Sequence, residues 1–190
     1  MSRVTPVYAP GDHPKAGDPA VQGELAELFG YLFPNVEKPE IDPPHTGLAI
    51  AAQNPKLALQ LAKMSRFMVL ELPWCQRRDR LELAIQAVNL HFKSDFSFQA
   101  RLPQITASGL GLEKAAAIPY WRTTPLFDAE ERLVVEYAFA AAAGDVPAEL
   151  FARVAEQYGE QGAVEFTSVV AWFSFWAMLI NAVRPELAGG

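Results

Sequence analysis

A line of polar residues runs along the otherwise apolar segment 77–92. Its members are spaced by three, four, three and four residues: Asp79, Glu82, Gln86, Asn89 and Lys93. Because an α-helix repeats every 3.6 residues, this spacing predicts that they share one side of a helix. If that side lines an internal cavity, Glu82 can exchange protons with a ligand there. If it faces water, the line is a thin solvent strip on a mostly buried helix. The spacing allows both interpretations.

A second polar line follows at once and consists of Ser94, Ser97 and Arg101, which share a face of a predicted helix over residues 94–108. The planar guanidinium of Arg101 has a fork of donors that suits carboxylates. Ser94 is also a natural N-cap, and Arg101 is equally suited to a surface or interface ion pair. Pro103 removes a backbone donor inside this helix and should bend it.

Helical periodicity covers most of the chain, whereas the two-residue alternation of strands is nearly absent. Asn54 followed by Pro55, and Asp128 with Glu131 three residues later, are typical helix starts. The longer helices are expected at residues 21–33, 55–70, 77–92, 94–108, 128–144, 147–158 and 162–183, and shorter ones at 45–52 and 112–118. We therefore predict an all-α fold, a bundle of about seven to eight helices.

Composition narrows the function classes further. The 190 residues include 16 basic and 22 acidic side chains, for a net charge of −6, and 51% of the residues are hydrophobic. Such an acidic surface disfavours nucleic-acid binding. With three His and one Cys, the chain has neither a disulfide framework nor a Cys-rich zinc site, so we expect no metal. The thiol count fits a reducing compartment, and we expect a cytoplasmic protein.

The ends of the chain raise two questions of organisation. Residues 1–19 are rich in Pro, Gly and Asp and lack the apolar core of a signal peptide. We interpret them as an extended arm, either a frayed end or a segment that reaches a neighbouring subunit, followed by a single helical domain over residues 20–190. Residues 166–183 carry no charge, which suits a membrane span or a buried helix. We favour the buried helix and expect no membrane partner.

The last predicted helix also carries an aromatic stripe, formed by Trp172, Phe173, Trp176 and Ile180 at helical spacing. Such a stripe is typical of a hydrophobic core. It would also suit a seam between two subunits, or the apolar wall of a small-molecule pocket that contains Glu82 and Arg101. The sequence alone leaves these three roles open.

Several stretches together resemble the carboxymuconolactone decarboxylase and alkylhydroperoxidase D-like superfamily. They are RLELAI at residues 80–85, SDFSF at 94–98, ASGL at 107–110, FDAEER at 127–132 and MLINA at 178–182. The resemblance covers most of residues 45–184 and holds without gaps over some thirty residues. It implies an all-helical bundle that assembles with copies of itself as a dimer, trimer or hexamer.

The peroxidase branch of that superfamily uses a Glu, a Cys-x-x-Cys pair and a His. The resemblance places Glu82 on the family Glu, Ser94 and Ser97 on the two Cys positions, and Arg101 on the His. A serine hydroxyl is too weak an acid to replace a thiolate and forms no disulfide. Cys75 lies before this helix and has no partner cysteine. We therefore predict that thiol peroxidase activity is absent.

The decarboxylase branch needs neither a thiol nor a cofactor. Resemblance to it implies a lyase of aromatic compound catabolism that acts without cofactor on a small carboxylated or lactone-type compound. Glu82 and Arg101 would be the catalytic acid/base and the anion clamp. The residues expected to bind the substrate are Ser94, Ser97, Gln86, Asn89 and Phe98. The alternative is a redox-inactive binding or assembly protein of the same fold.

Overall fold

The computed structural model describes residues 2–186, and every regular element in that range is helical. The all-α prediction is confirmed. The α-helices are α1 (Pro19–Leu32), α2 (Thr46–Ala51), α3 (Pro55–Arg66), α4 (Arg78–His91), α5 (Asp95–Ala100), α6 (Leu102–Ser108), α7 (Leu112–Ala117), α8 (Ala129–Ala143) and α9 (Ala148–Val183). Short 3₁₀ segments join several of them, and a π-helical turn at Phe67–Glu71 follows α3.

The two predicted helix starts have the capping geometry that their sequences indicate. The Asn54 side chain accepts a hydrogen bond from the Leu57 N–H at 3.1 Å, and Pro55 occupies the first turn of α3. Asp128 accepts from the Glu131 N–H at 2.7 Å, and the Glu131 carboxylate accepts from the Asp128 N–H at 2.9 Å. This reciprocal pair satisfies donors at the start of α8 that the helix leaves without partners.

The prediction of one helix over residues 94–108 is wrong, because the chain forms two helices there, α5 and α6, with Arg101 between them. Pro103 has no N–H to donate to the carbonyl of Gln99, so one continuous helix would lose a hydrogen bond and its ring would clash. At the second position of α6 the missing donor costs nothing. Arg101 lies between the two helices with φ −96° and ψ 0°.

Helix α9 joins the helices predicted at 147–158 and 162–183, and Gly159 interrupts it with φ 74° and ψ 166°. That positive φ suits glycine, which has no Cβ. By length and composition α9 is also long and apolar enough to cross a membrane, with 44% of its apolar window buried within the protein.

The chain divides into two compact units. The first comprises residues 2–67 with 183–186 of the described chain, and the second runs from Met68 to Ala182. In the first unit, the segment expected to form an arm contacts its own unit: the Val7 N–H donates to Ala49 O, and Tyr8 O accepts from the Ile41 N–H, both at 2.8 Å. Val7 is fully buried. The boundary between an arm and a single domain at residue 20 stays a prediction.

Within the second unit, α4 forms the centre. It packs along α8 and also contacts α5 and α6. Buried apolar side chains from α4, α8 and α9 fill the core, among them Leu81, Leu83, Val134, Tyr137 and Phe166. Because α4 is covered on several sides, residues 80–89 are all buried, polar ones included. This arrangement places the predicted polar line inside the unit.

Candidate functional site

The middle of the polar line on α4 is enclosed by protein. Glu82 is 4% exposed, Gln86 is fully buried and Asn89 is 2% exposed. Only the ends of the line, Asp79 and Lys93, reach the surface. The solvent-strip interpretation therefore holds for the ends alone. The interior placement requires that the three central side chains find partners within the unit, because an unpaired buried polar group is costly.

Glu82 and Arg101 form a two-point ion pair. The Arg101 Nε donates to Glu82 Oε2 at 2.9 Å, and Arg101 Nη2 donates to Glu82 Oε1. The Glu82 side chain is 5% exposed and that of Arg101 25% exposed, so the pair joins an interior carboxylate to a partly accessible cation. The guanidinium carbon also lies 5.2 Å from the centre of the Phe173 ring, within the range of a cation–π contact.

The two amides on α4 form a second group. Asn89 Nδ2 donates to Gln86 Oε1 at 3.0 Å, and Gln86 Nε2 donates to the backbone carbonyl of Phe98 at 3.1 Å. Phe98 thus contributes its carbonyl oxygen to this group, while its ring packs against the apolar core. The amides consequently tie α4 to α5.

The two serines form a third group at the start of α5. Ser94 Oγ donates to Ser97 Oγ at 2.9 Å, and Ser94 is 1% exposed. Ser94 occupies the N-cap position as predicted, but its side chain makes no capping hydrogen bond. Its backbone N–H donates to the carbonyl of Asn89 at 2.8 Å. The hydroxyl pair therefore lies next to the amide pair along the chain.

These three groups account for every site residue expected from the sequence: Glu82, Arg101, Gln86, Asn89, Phe98, Ser94 and Ser97. Within residues 2–186, no side-chain hydrogen bond joins one group to another. The acid and the guanidinium meet directly, as do the two hydroxyls. Whether all of them face one ligand stays a prediction.

Cys75, the one cysteine of the chain, lies in an environment that disfavours thiol reactivity. Cys75 is fully buried, and burial raises the pKa of its thiol to about 12, so the reactive thiolate is disfavoured. The residues that the structure describes hold no group of three or more His, Cys, Asp or Glu placed to bind a metal ion.

Sequence reasoning missed a buried ion-pair network around Arg80. Its Nη2 donates to Asp128 Oδ2 at 3.0 Å and to Glu130 Oε2 at 2.9 Å, and its Nη1 lies 2.8 Å from Glu131 Oε1. Burial opposes ionisation of Glu130, but the hydrogen bond and charge of Arg80 outweigh it and lower the pKa of that carboxyl group. Two features of the sequence could have indicated this network: Arg80 lies in an otherwise apolar helix, and three acidic residues lie at the start of α8.

Comparison with known proteins gives one informative match. No family model matches the chain, and no curated protein matches it. Among solved structures, the chain is similar to the debrominase Bmp8, determined as a cysteine-to-alanine variant in complex with 2,3,4-tribromopyrrole. The match has a TM-score of 0.66 and 18% identity, and it covers 100% of this chain and 95% of that one. The chain has the alkylhydroperoxidase D-like fold. The fold implied by the sequence resemblance is therefore confirmed. At 18% identity the match supports the fold and not the function.

Proposed function

We propose that this protein is carboxymuconolactone decarboxylase-like and acts without a cofactor on a small carboxylated or lactone-type compound. The observation that carries the proposal is the Glu82–Arg101 pair, an enclosed carboxylate held by a partly accessible guanidinium. Enclosed sites with few polar anchors among apolar walls are typical of small-molecule binding. Phe173 supplies one such wall beside Arg101.

Arg101 keeps donor capacity for a ligand. Its Nε and Nη2 contact Glu82, while its Nη1 has no hydrogen-bond partner in the part of the chain that the structure describes. A carboxylate ligand would bind that free edge, because guanidinium donors match carboxylate oxygens in geometry and charge. Arg101 would thus hold the acid group of the substrate.

The proton step requires the pair to open. Both Glu82 oxygens accept from Arg101, so one of them has to be released before Glu82 can handle a proton. An incoming carboxylate that competes for Arg101 would release it. In the decarboxylation, the bond to the carboxylate carbon breaks, carbon dioxide leaves, and the electron pair remains as an enolate. The released Glu82 carboxylate takes a proton from water, passes it to the enolate carbon and returns to its ionised form, while the hydroxide that remains combines with carbon dioxide as bicarbonate.

The hydroxyl pair would support the same step. Ser94 donates its proton to Ser97 Oγ, so the Ser97 hydroxyl hydrogen is left for an acceptor on the ligand. Gln86 and Asn89 would set the position of this segment through the Phe98 carbonyl rather than by touching the substrate. Serine also replaces the cysteines of the peroxidase centre, so the proposed chemistry uses no thiol.

A second candidate, a redox-inactive binding or assembly protein, is favoured by a separate observation. Glu82 and Arg101 satisfy each other and tie α4 to the α5–α6 junction, which is a complete structural role. The half-buried cluster of Trp172, Phe175 and Trp176 on α9 would then form a seam between copies. In either case we propose a cytoplasmic homo-oligomer without nucleic-acid or membrane partners.

Ligand screening separates the two candidates. Dicarboxylates, unsaturated lactone acids and 2,3,4-tribromopyrrole are tested for a rise in melting temperature, and every binder is then assayed for release of carbon dioxide. The enzyme proposal expects an acid that binds, is decarboxylated, and loses both effects in Arg101→Ala. Arg153→Ala is the matched control, since Arg153 makes an exposed ion pair with Glu136 at 2.9 Å. Binding without turnover, or no binding, favours the assembly candidate.

A peroxide assay tests the absence of thiol activity. The protein is incubated with hydrogen peroxide or an alkyl hydroperoxide and a dithiol reductant. We expect consumption no faster than in a protein-free control. Turnover that survives Cys75→Ser would contradict the assignment of Ser94 and Ser97 as redox-inactive.

A further inference from the structure

A cleft of about 560 Å³ opens in the second unit beside Arg80, and neither Glu82 nor Arg101 lines it. Such a volume suits a small molecule. Its walls come from the 3₁₀ segment before α4, from α4 itself, from the start of α8 and from α9. The side chains that matter for its chemistry are Trp74, Arg77, Arg80, Glu130, Tyr158 and Glu165.

Glu165 is the unusual member of this cleft. It is 8% exposed, and its two oxygens accept only from neutral donors: the Trp74 backbone N–H at 2.9 Å and Gln161 Nε2 at 2.7 Å. Among residues 2–186, no Lys, Arg or His lies within 4.0 Å of its carboxylate. A buried carboxylate without a countercharge is costly, so this position favours a cation.

The rest of the cleft does not supply that cation. Arg80 is engaged by Asp128, Glu130 and Glu131, and Arg77 lies 3.4 Å from both Asp79 and Glu130. Among the charged side chains that line the cleft, both arginines have carboxylate partners and Glu165 has no cation beside it. Within the cleft, the carboxylate that a bound cation would neutralise is therefore Glu165.

Aromatic rings form the apolar walls. The rings of Trp74 and Tyr158 meet edge to face, with centres 6.0 Å apart, and the Tyr158 hydroxyl donates to Glu130 Oε1 at 3.1 Å. Gly162 makes this corner possible, because a Cβ there would lie 2.7 Å from Tyr158 Cβ. Carboxylates beside aromatic rings are the groups that attract organic cations.

The geometry points to a binding site for a small protonated amine, with Glu165 as its countercharge and Trp74 and Tyr158 as its walls. An organic ammonium fits better than a metal ion, since the described residues offer no group of three metal-ligating side chains here. The site is independent of the proposed decarboxylation, because none of its residues belongs to the Glu82–Arg101, Gln86–Asn89 or Ser94–Ser97 groups.

The first experiment measures binding of butylamine and benzylamine by calorimetry at pH 7, with butyrate and benzyl alcohol as matched anionic and neutral probes. We expect the amines to bind and the other probes not to. Glu165→Gln should weaken amine binding at least tenfold, whereas Glu136→Gln, which changes a partly exposed carboxylate outside the cleft, should leave it unchanged. Equal affinity for benzyl alcohol, or no amine binding at all, would overturn the proposal.

Two further variants keep the test informative if Glu165→Gln folds poorly. Gln161 is exposed and already contacts Glu165, so Gln161→Lys would place an ammonium on the carboxylate and abolish amine binding. Arg77 is largely exposed, and Arg77→Gln removes a competing positive charge, which should tighten amine binding by about twofold to fivefold. Weaker amine binding in Arg77→Gln, or unchanged binding in Gln161→Lys, would contradict the proposed site.

Discussion

The Glu82 carboxylate and the Arg101 guanidinium meet through two hydrogen bonds, although they are 19 residues apart in the chain. The contact joins the central helix α4 to the junction between α5 and α6. It therefore combines a structural role, closure of this part of the unit, with the donor arrangement that would hold an acidic ligand.

Removing one partner of this pair should be costly. Arg101→Ala leaves Glu82 as a buried charge without a partner and should lower the free energy of unfolding by about 3 kcal/mol. The double variant Glu82→Gln/Arg101→Met removes both charges and should recover most of that loss. Urea unfolding of the three proteins measures the difference. The exposed pair of Arg153 and Glu136 provides the comparison, because Arg153→Ala should cost at most about 1 kcal/mol. Equal costs for the two alanine variants would contradict a buried pair.

The two serines are placed so that cysteines there should form a disulfide. Their hydroxyl oxygens are 2.9 Å apart, and a disulfide needs sulfur atoms at about 2.05 Å, which a small rotation of each side chain provides. Oxidation of Ser94→Cys/Ser97→Cys should remove two reactive thiols, detected by thiol titration in urea and by mass spectrometry. The single variants serve as controls and should keep their thiols. Because Cys75 contributes one thiol in urea, the oxidised double variant should show one free thiol, and three would argue against this geometry.

Cys75 should be inert in the folded protein. Its pKa is about 12 when buried and 9.0 when free, so the folded state keeps the thiol protonated while the unfolded state ionises between those values. The stability contribution of Cys75 is therefore fully present below pH 9 and is lost as pH rises towards 12. A disulfide reagent at pH 8 should label one thiol at once in urea and almost none in buffer. Rapid labelling of the native protein would contradict the burial.

Acid should weaken the network around Arg80. Burial opposes ionisation of Asp128, but the Glu131 N–H and the charge of Arg80 lower its pKa, and Glu130 behaves alike. Because these folded pKa values lie below the unfolded ones, their contribution is present above about pH 4.5 and is lost as pH falls through the folded values. Unfolding measured from pH 7 to pH 3 should show this decrease.

Two variants of Asp128 separate its charge from its capping role. Asp128→Asn and Asp128→Ala both remove the charge, so both should flatten the acid dependence to the same extent. Asparagine retains the cap and alanine does not, which should place Asp128→Ala about 1 kcal/mol lower at every pH. An acid dependence as steep as that of the parent protein would exclude Asp128 from the titrating network.

The sequence predicted the fold well where local chemistry decides it. Asn54 with Pro55, and Asp128 with Glu131, define helix starts through bonds within four residues, and the structure confirms both. The helix over 94–108 was wrong because the Pro103 effect was expected as a bend, whereas the chain breaks completely at Arg101. The π turn after α3 was not predicted, since no local residue pattern marks it.

The site was harder to predict because burial is a property of the whole unit. Periodicity placed Glu82, Gln86 and Asn89 on one side of α4, but only the packing of α4 against α5, α6 and α8 shows that this side faces inward. The Arg80 network joins residues about fifty positions apart, a distance over which spacing carries no information. The cleft beside Glu165 depends on the same long-range packing.

The break before α6 makes Arg101 a connector residue rather than a residue of a helical turn. The direction of the Arg101 side chain therefore depends on the angle between the short helices α5 and α6. Pro103, two positions further on, determines where α6 begins. Exchange of Pro103 for a helix-forming residue would let α5 run into α6 and swing the cation off the Glu82 carboxylate. The geometry of the Glu82–Arg101 ion pair can thus be altered by a substitution at an exposed position.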